Sequence, residues 1–108
     1  MKLLFICNIN KHRSKTAEEL FKDRFETKSA GIYNNIVTKE QLEWADLVLV
    51  MEEHQRAFIA KHFSKQYLQK KIICLDISDV YSYRQKELQE LLEKKLFSYR
   101  LEHFSTIT

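Results

Sequence analysis

Glycine occurs once in this chain and proline never. All-β sandwiches and barrels turn tightly many times and draw on both residues to do so, which argues against that class. The isolation of the single glycine, Gly31, gives it weight, because glycine stands where no other residue fits. Long apolar runs are missing too. Nothing approaches the roughly 20 consecutive apolar residues that span a bilayer, and the short apolar opening enters a polar loop directly, so neither a membrane anchor nor a secretory leader is expected. Cysteine is limited to Cys7 and Cys74, with no CxxC pair. Two free thiols in a reducing, cytoplasmic compartment are the expectation. The net charge is only +3, and Lys70-Lys71 and Lys94-Lys95 are interleaved with Glu and Gln as solvated surface. A nucleic-acid partner calls for a continuous basic stripe, and none can be read here.

What is present suits a single globular domain over 1–108. Hydrophobic residues make up 44% and charged residues 31% of the 108, ordinary values for a folded domain of a size that buries a core. Leu3-Leu4-Phe5-Ile6 reads as a buried strand. After a polar stretch, Ser14 precedes a helix whose Ala17, Leu20, Phe21 and Phe25 recur at helical spacing, with Glu18 and Glu19 in its early turns. Residues 27–30 make a brief strand stopped by Gly31. Thr38 is an N-cap for a short helix through Ala45, with Gln41 completing a capping box. Leu47-Val48-Leu49-Val50-Met51 is a continuous apolar run of the kind found in parallel sheets covered on both faces. Helix over 53–63, a buried strand over 71–75, a loop over 76–83 and a helix over 85–101 complete the alternation. Strands separated by helices imply a four-stranded parallel sheet with helices on both faces, an α/β fold. Ligands in such sheets bind beyond the carboxyl ends of the strands, where Cys7, Gly31, Glu52 and Asp79 all fall.

The segment that carries chemistry is Cys7-Asn8-Ile9-Asn10-Lys11-His12-Arg13-Ser14, a C-x5-R-S pattern between strand and helix. A loop of this length can curl so that backbone N–H groups converge on one anion. Asn8, Ile9, Asn10, Lys11, His12, Arg13 and Ser14 are the expected phosphate cradle, with Arg13 spanning two phosphoryl oxygens as lysine cannot. A helix N-terminus and a nearby guanidinium favour thiolate over thiol, and the thiolate is the nucleophile. Ser14 adds a hydrogen bond to the sulfur. Cys7 then attacks phosphorus, forming a phosphocysteine that water hydrolyses. No cofactor or metal is called for, and the histidines lack metal-ligand spacing with either cysteine.

Leu4-Phe5-Ile6-Cys7 through Arg13-Ser14, followed by Thr16-Ala17-Glu18, resembles the phosphate loop of the low-molecular-weight protein tyrosine phosphatases. Ser29-Ala30-Gly31 resembles that family's Ser-Ala-Gly motif, and Ala45-Asp46-Leu47-Val48-Leu49-Val50-Met51 its third strand. The resemblance implies the family's four-stranded parallel sheet and a phosphotyrosine-type substrate, on a phosphorylated protein or a small aryl phosphate. It also implies that Asn10 holds the cradle open through side-chain hydrogen bonds, with Ser29 as a partner. The chain departs from the family in having Ile9 where a glycine is usual and His12 where a second cysteine is frequent. Its stretch from Gly31 to Ala45 is shorter, which implies a shallower, more open site.

Phosphoryl transfer to water also needs a proton for the departing oxygen, commonly from a carboxylic acid on a mobile loop. Asp79 occupies the place of the family's acid, without the family's following proline, and Asp76 is the competitor nearer the strand. Tyr33, Tyr81 and Tyr83 are candidates to flank an aryl leaving group, while Trp44 and the Met51 region read as core. Alternative readings are a phosphate- or phosphotyrosine-binding module without turnover, a thiol-dependent arsenate reductase, and a phosphocysteine carrier. The reductase needs resolving cysteines, for which only Cys74 is on hand.

Overall fold

The computed structural model describes residues 1–103, with side chains through residue 99; residues 104–108 of the expected domain lie outside the described residues. Four parallel strands, β1 (Lys2–Ile6), β2 (Glu26–Ala30), β3 (Leu47–Val50) and β4 (Ile72–Cys74), form one sheet in the order β2-β1-β3-β4. The helices are α1 (Arg13–Phe21), α2 (Lys39–Trp44), α3 (Glu53–His62), α4 (Ser64–Gln69) and α5 (Lys86–His103). This is the expected four-stranded α/β architecture. No helix among the described residues is long and apolar enough to cross a membrane.

The two central strands are buried on both faces, and alternate residues feed two cores. Leu3, Phe5, Leu47 and Leu49 pack with Ala17 and Phe21 of α1 and with Leu88, Leu92 and Leu96 of α5. Leu4, Ile6, Val48 and Val50 pack on the opposite face with Leu42 of α2 and Ile59 of α3. Period-two alternation in a doubly covered strand has this result, and it is why β1 and β3 read as unbroken apolar runs. Phe5 and Phe21 stack with centroids 5.8 Å apart. Such a pair contributes about 0.5–1.5 kcal/mol beyond its buried area, and it fixes α1 against the strand that leads into the C-x5-R-S loop.

Several local expectations need correction. The first helix begins at Arg13, earlier than Ser14 suggested, so Glu18 and Glu19 sit past its first turn and do not serve the dipole there. β4 was expected to be buried, but its three residues are all half-buried, because it pairs only with β3 at the sheet edge. The short helix α4 was not foreseen. Its one buried residue is the polar Gln66, which donates to Glu43 at 3.1 Å, so no apolar periodicity announced it. The capping box at Thr38 is formed as expected, Gln41 N–H donating to Thr38 Oγ1 at 3.1 Å and Thr38 N–H to Gln41 Oε1 at 3.0 Å.

Candidate active site

The loop over residues 7–12 leaves the end of β1 and closes on the first turn of α1. Its turn is made at Asn10, whose φ is 53°; asparagine tolerates this left-handed region better than most residues. Ile9, at the family's glycine position, does not adopt positive φ and instead exposes its side chain. Asn10 is buried, and its Nδ2 donates to Ser14 Oγ at 2.8 Å, while Asn35 Nδ2 donates to its Oδ1 at 3.4 Å. Ser14 Oγ in turn lies 2.9 Å from Cys7 Sγ. Because Asn10 supplies a proton to the serine oxygen, the serine hydroxyl keeps its own to give, with Cys7 Sγ at 2.9 Å as the nearer acceptor and the carbonyl of Ala30 at 3.4 Å as the other. Among the described residues, the backbone N–H groups of residues 8–13 find no protein acceptor. Consecutive unpaired N–H donors around a loop and a helix start are the makings of an anion site.

Gly31 closes the back of this loop. A β-carbon there would lie 2.8 Å from Asn8 O and 3.0 Å from Asn10 N. Beside it, the carbonyl of Asn8 accepts the N–H groups of Ile32 and Tyr33 at 2.9 and 2.8 Å, so the β2–α2 connection is bonded directly to the loop.

Arg13 is 1% exposed. A buried guanidinium must be paired and hydrogen-bonded to persist. Nη1 donates to Glu52 Oε1 at 2.5 Å and to the carbonyl of Ile77 at 2.7 Å, and Nη2 lies 3.5 Å from Asp79 Oδ1. Asp79 also receives Asn8 Nδ2 at 3.4 Å on its other oxygen. Asn8 Oδ1 faces the other way, accepting Gln55 Nε2 at 3.0 Å and contacting His54 Nε2 at 2.6 Å. The ends of β1, β3 and β4 thus converge on one loop.

No protein-family model matches the chain, and no curated protein does. Solved structures do. A YwlE mutant from Bacillus subtilis superposes with a TM-score of 0.74 at 24% identity, over 94% of this chain and 99% of that one. The YwlE arginine phosphatase with a phosphorylated active-site serine gives 0.73 at 24%, over 95% and 97%. A low-molecular-weight protein tyrosine phosphatase from T. tengcongensis gives 0.72 at 21%, over 92% and 99%. The chain has the low-molecular-weight protein tyrosine phosphatase fold.

Within that phosphatase fold the candidate residues divide clearly. Cys7, Asn8, Asn10, Arg13, Ser14 and Asp79 are joined by the contacts above. Lys11 is exposed and, with Asn10, Lys15 and Tyr83, lines an open recess of about 320 Å³ beside the loop. His12 accepts Tyr83 N–H on Nδ1 at 3.0 Å, and its carbonyl accepts both Thr16 N–H at 3.0 Å and the Thr16 hydroxyl at 2.7 Å, so it ties the 79–84 loop to the start of α1. Asp76 is exposed with φ 56°, and it has none of the contacts to Arg13 and Asn8 that Asp79 has. Ser29 is not the partner of Asn10; it donates to Glu18 Oε1 at 2.6 Å. Tyr81 packs against the core and Tyr33 is 66% exposed, leaving Tyr83 as the tyrosine at the recess. Trp44, expected in the core, is only half-buried, with Lys28 Nζ 4.5 Å from its ring.

Glu52, His54 and Gln55 were given no role from the sequence, although Glu52 was placed at a strand end. Only the rule for the carboxyl ends of parallel strands pointed there. Cys74 lies on the opposite face from Cys7, with the α2–α3 core, and burial pushes its thiol upward.

Proposed function

We propose that the chain is a cysteine-dependent phosphatase that hydrolyses phosphate monoesters, phosphotyrosine-type esters of proteins or small aryl phosphates, through a phosphocysteine. The observation that carries this reading is the relay Asn10–Ser14–Cys7 at the mouth of a loop whose N–H groups are unpaired. An anionic ester entering the loop gives those donors acceptors and meets the guanidinium of Arg13.

In the first step Cys7 Sγ attacks phosphorus and the bond to the leaving oxygen breaks. Asp79 protonates that oxygen, so an alcohol departs and a thiophosphate ester remains. The Ser14 hydroxyl donates to sulfur as thiolate and again as the sulfur leaves. In the second step the Asp79 carboxylate takes a proton from water, which attacks phosphorus and releases phosphate and thiolate. Asp79 is favoured over Asp76 because it reaches Arg13 and Asn8. Tyr83 at the recess favours a planar aryl leaving group, which stacks on aromatic rings. A reducing compartment keeps Cys7 available for this chemistry.

Hydrolysis of an aryl phosphate by wild type, Cys7→Ser and Asp79→Ala tests the reading. Wild type turns over, Cys7→Ser is inactive, and Asp79→Ala is slower by roughly 10²–10⁴-fold. Wild type that binds phosphate without hydrolysis would instead identify a binding module. Phosphotyrosine and phosphoarginine peptides assayed side by side decide the leaving group, with the proposal requiring preference for the former.

A further inference from the structure

Glu52 follows β3 directly and precedes α3, and its carboxylate accepts from the most deeply buried cation among the described residues. Its Oε1 lies 2.5 Å from Arg13 Nη1, and the same nitrogen donates to Ile77 O at 2.7 Å. Those two bonds occupy both hydrogens of Nη1 and fix the rotation of the guanidinium about its long axis. With Nη1 held there, Nη2 lies 3.5 Å from Asp79 Oδ1, and the Nε–Nη2 edge is the fork suited to two phosphoryl oxygens. Glu52 is itself held from behind. Gln55, fully buried, accepts Met51 N–H at 2.7 Å and Glu52 N–H at 3.0 Å on Oε1, while its Nε2 donates to Asn8. The turn at the end of β3 therefore grips the phosphate loop at two points, one a side-chain amide and one an ion pair.

We propose that Glu52 is a positioning residue for phosphoryl transfer, acting through Arg13 by securing its Nη1 side so that the Nε–Nη2 edge meets the ester. This rests on the phosphatase reading of the same loop. An arginine buried without this partner would re-aim toward Asp79, 3.5 Å from Nη2, and a misplacement of about 1 Å in such a group costs on the order of 10²-fold in rate.

The test is a double-mutant cycle read by aryl phosphate kinetics and by calorimetric binding of inorganic phosphate. Glu52→Ala raises KM and the phosphate Kd together by about 10–100-fold. Glu52→Gln, which keeps an acceptor oxygen toward Nη1, loses less than Glu52→Ala, and it carries the comparison alone if the alanine variant does not fold. In an Arg13→Lys background the same change at Glu52 moves phosphate affinity by less than about twofold, since the guanidinium it orients is gone. Equal losses in both backgrounds would make Glu52 merely structural, and tighter phosphate binding by Glu52→Ala would make it a competitor; either overturns the proposal. Wild type that neither binds phosphate nor hydrolyses the ester refutes the phosphatase reading itself, a result separate from any effect of Glu52.

Discussion

The α-carbon of Gly31 faces the carbonyl of Asn8 so closely that a β-carbon would sit 2.8 Å from that oxygen. Asn34 O would be nearer still, at 2.2 Å. Both are backbone atoms, so no side chain can swing aside. Gly31 does not occupy positive φ; space and not dihedral freedom demands glycine here. Gly31→Ala must therefore push the backbone at Asn34 and at residues 8–10 outward. Its urea midpoint is expected to fall by the equivalent of about 1–3 kcal/mol, the usual cost of overpacking, and aryl phosphate turnover by at least about tenfold. An alanine variant with unchanged midpoint and rate would refute this close-packing account.

At Asn10 the backbone and the side chain make separable demands. The φ of 53° costs a β-carbon-bearing residue roughly 1–2 kcal/mol, while the bond from Nδ2 orients Ser14 toward sulfur. Asn10→Gly should fold more stably than Asn10→Ala, because only glycine accepts that dihedral freely. Both should lose turnover, because neither can donate to Ser14. Denaturation curves and kcat measured on the same two variants check the pair of claims, and equal stability of the two would refute the first.

Much of this arrangement was legible because it is local. Leu47 to Met51 announces a doubly covered strand by its unbroken apolar character, and Cys7 to Ser14 spells out the loop. Gly31 could be singled out by scarcity alone. What escaped notice depends on distant neighbours. The half-burial of β4 follows from its edge position, which nothing within Ile72-Ile73-Cys74 encodes. α4 is seated through the polar Gln66 and leaves Leu68 83% exposed, so its pattern runs against hydrophobic periodicity. Glu52 reads in sequence only as a residue at a strand end, until β3 is laid beside β1 and brings it within reach of Arg13. Asn8 reads in sequence only as part of the cradle, because its side-chain ties to Asp79, His54 and Gln55 span 71, 46 and 47 positions.

Tyr83 links the 79–84 loop to α1 by donating its hydroxyl to Glu19. That bond holds the phenol above its ordinary value of about 10, with a lesser contribution from burial and from the Glu19 charge. Ionisation removes the donor and sets two negative charges side by side. A group raised in the folded state stabilises fully below its unfolded value and loses that contribution as pH rises through the folded one. The loop contact is therefore intact at neutral pH and released in alkali above about pH 10. The difference in phenolate absorbance between wild type and Tyr83→Phe, titrated with base, should show a single tyrosine ionising above about pH 10. A difference curve centred at or below that value would show that Glu19 does not hold this proton.

Cys74 distinguishes hydrolysis from thiol redox chemistry. In sheet register Ile6 pairs with Val50 and Val50 with Cys74, so Cys7, one residue past Ile6, is separated from Cys74 by a whole strand. Two strand spacings come to about 9–10 Å, beyond the roughly 7 Å over which α-carbons can be bridged by a disulfide. The two side chains also serve opposite cores, and burial raises the Cys74 thiol, keeping it in the unreactive protonated form. Mild oxidation of the native protein should therefore leave its intact mass without the loss of two hydrogens that a Cys7–Cys74 disulfide would give. Cys74→Ala should hydrolyse aryl phosphate at the wild-type rate, and arsenate with added thiol should bind as a phosphate analogue without being reduced. Arsenate reduction that Cys74→Ala abolishes would overturn this assignment, because it would require the sheet to open far enough for the two sulfurs to meet.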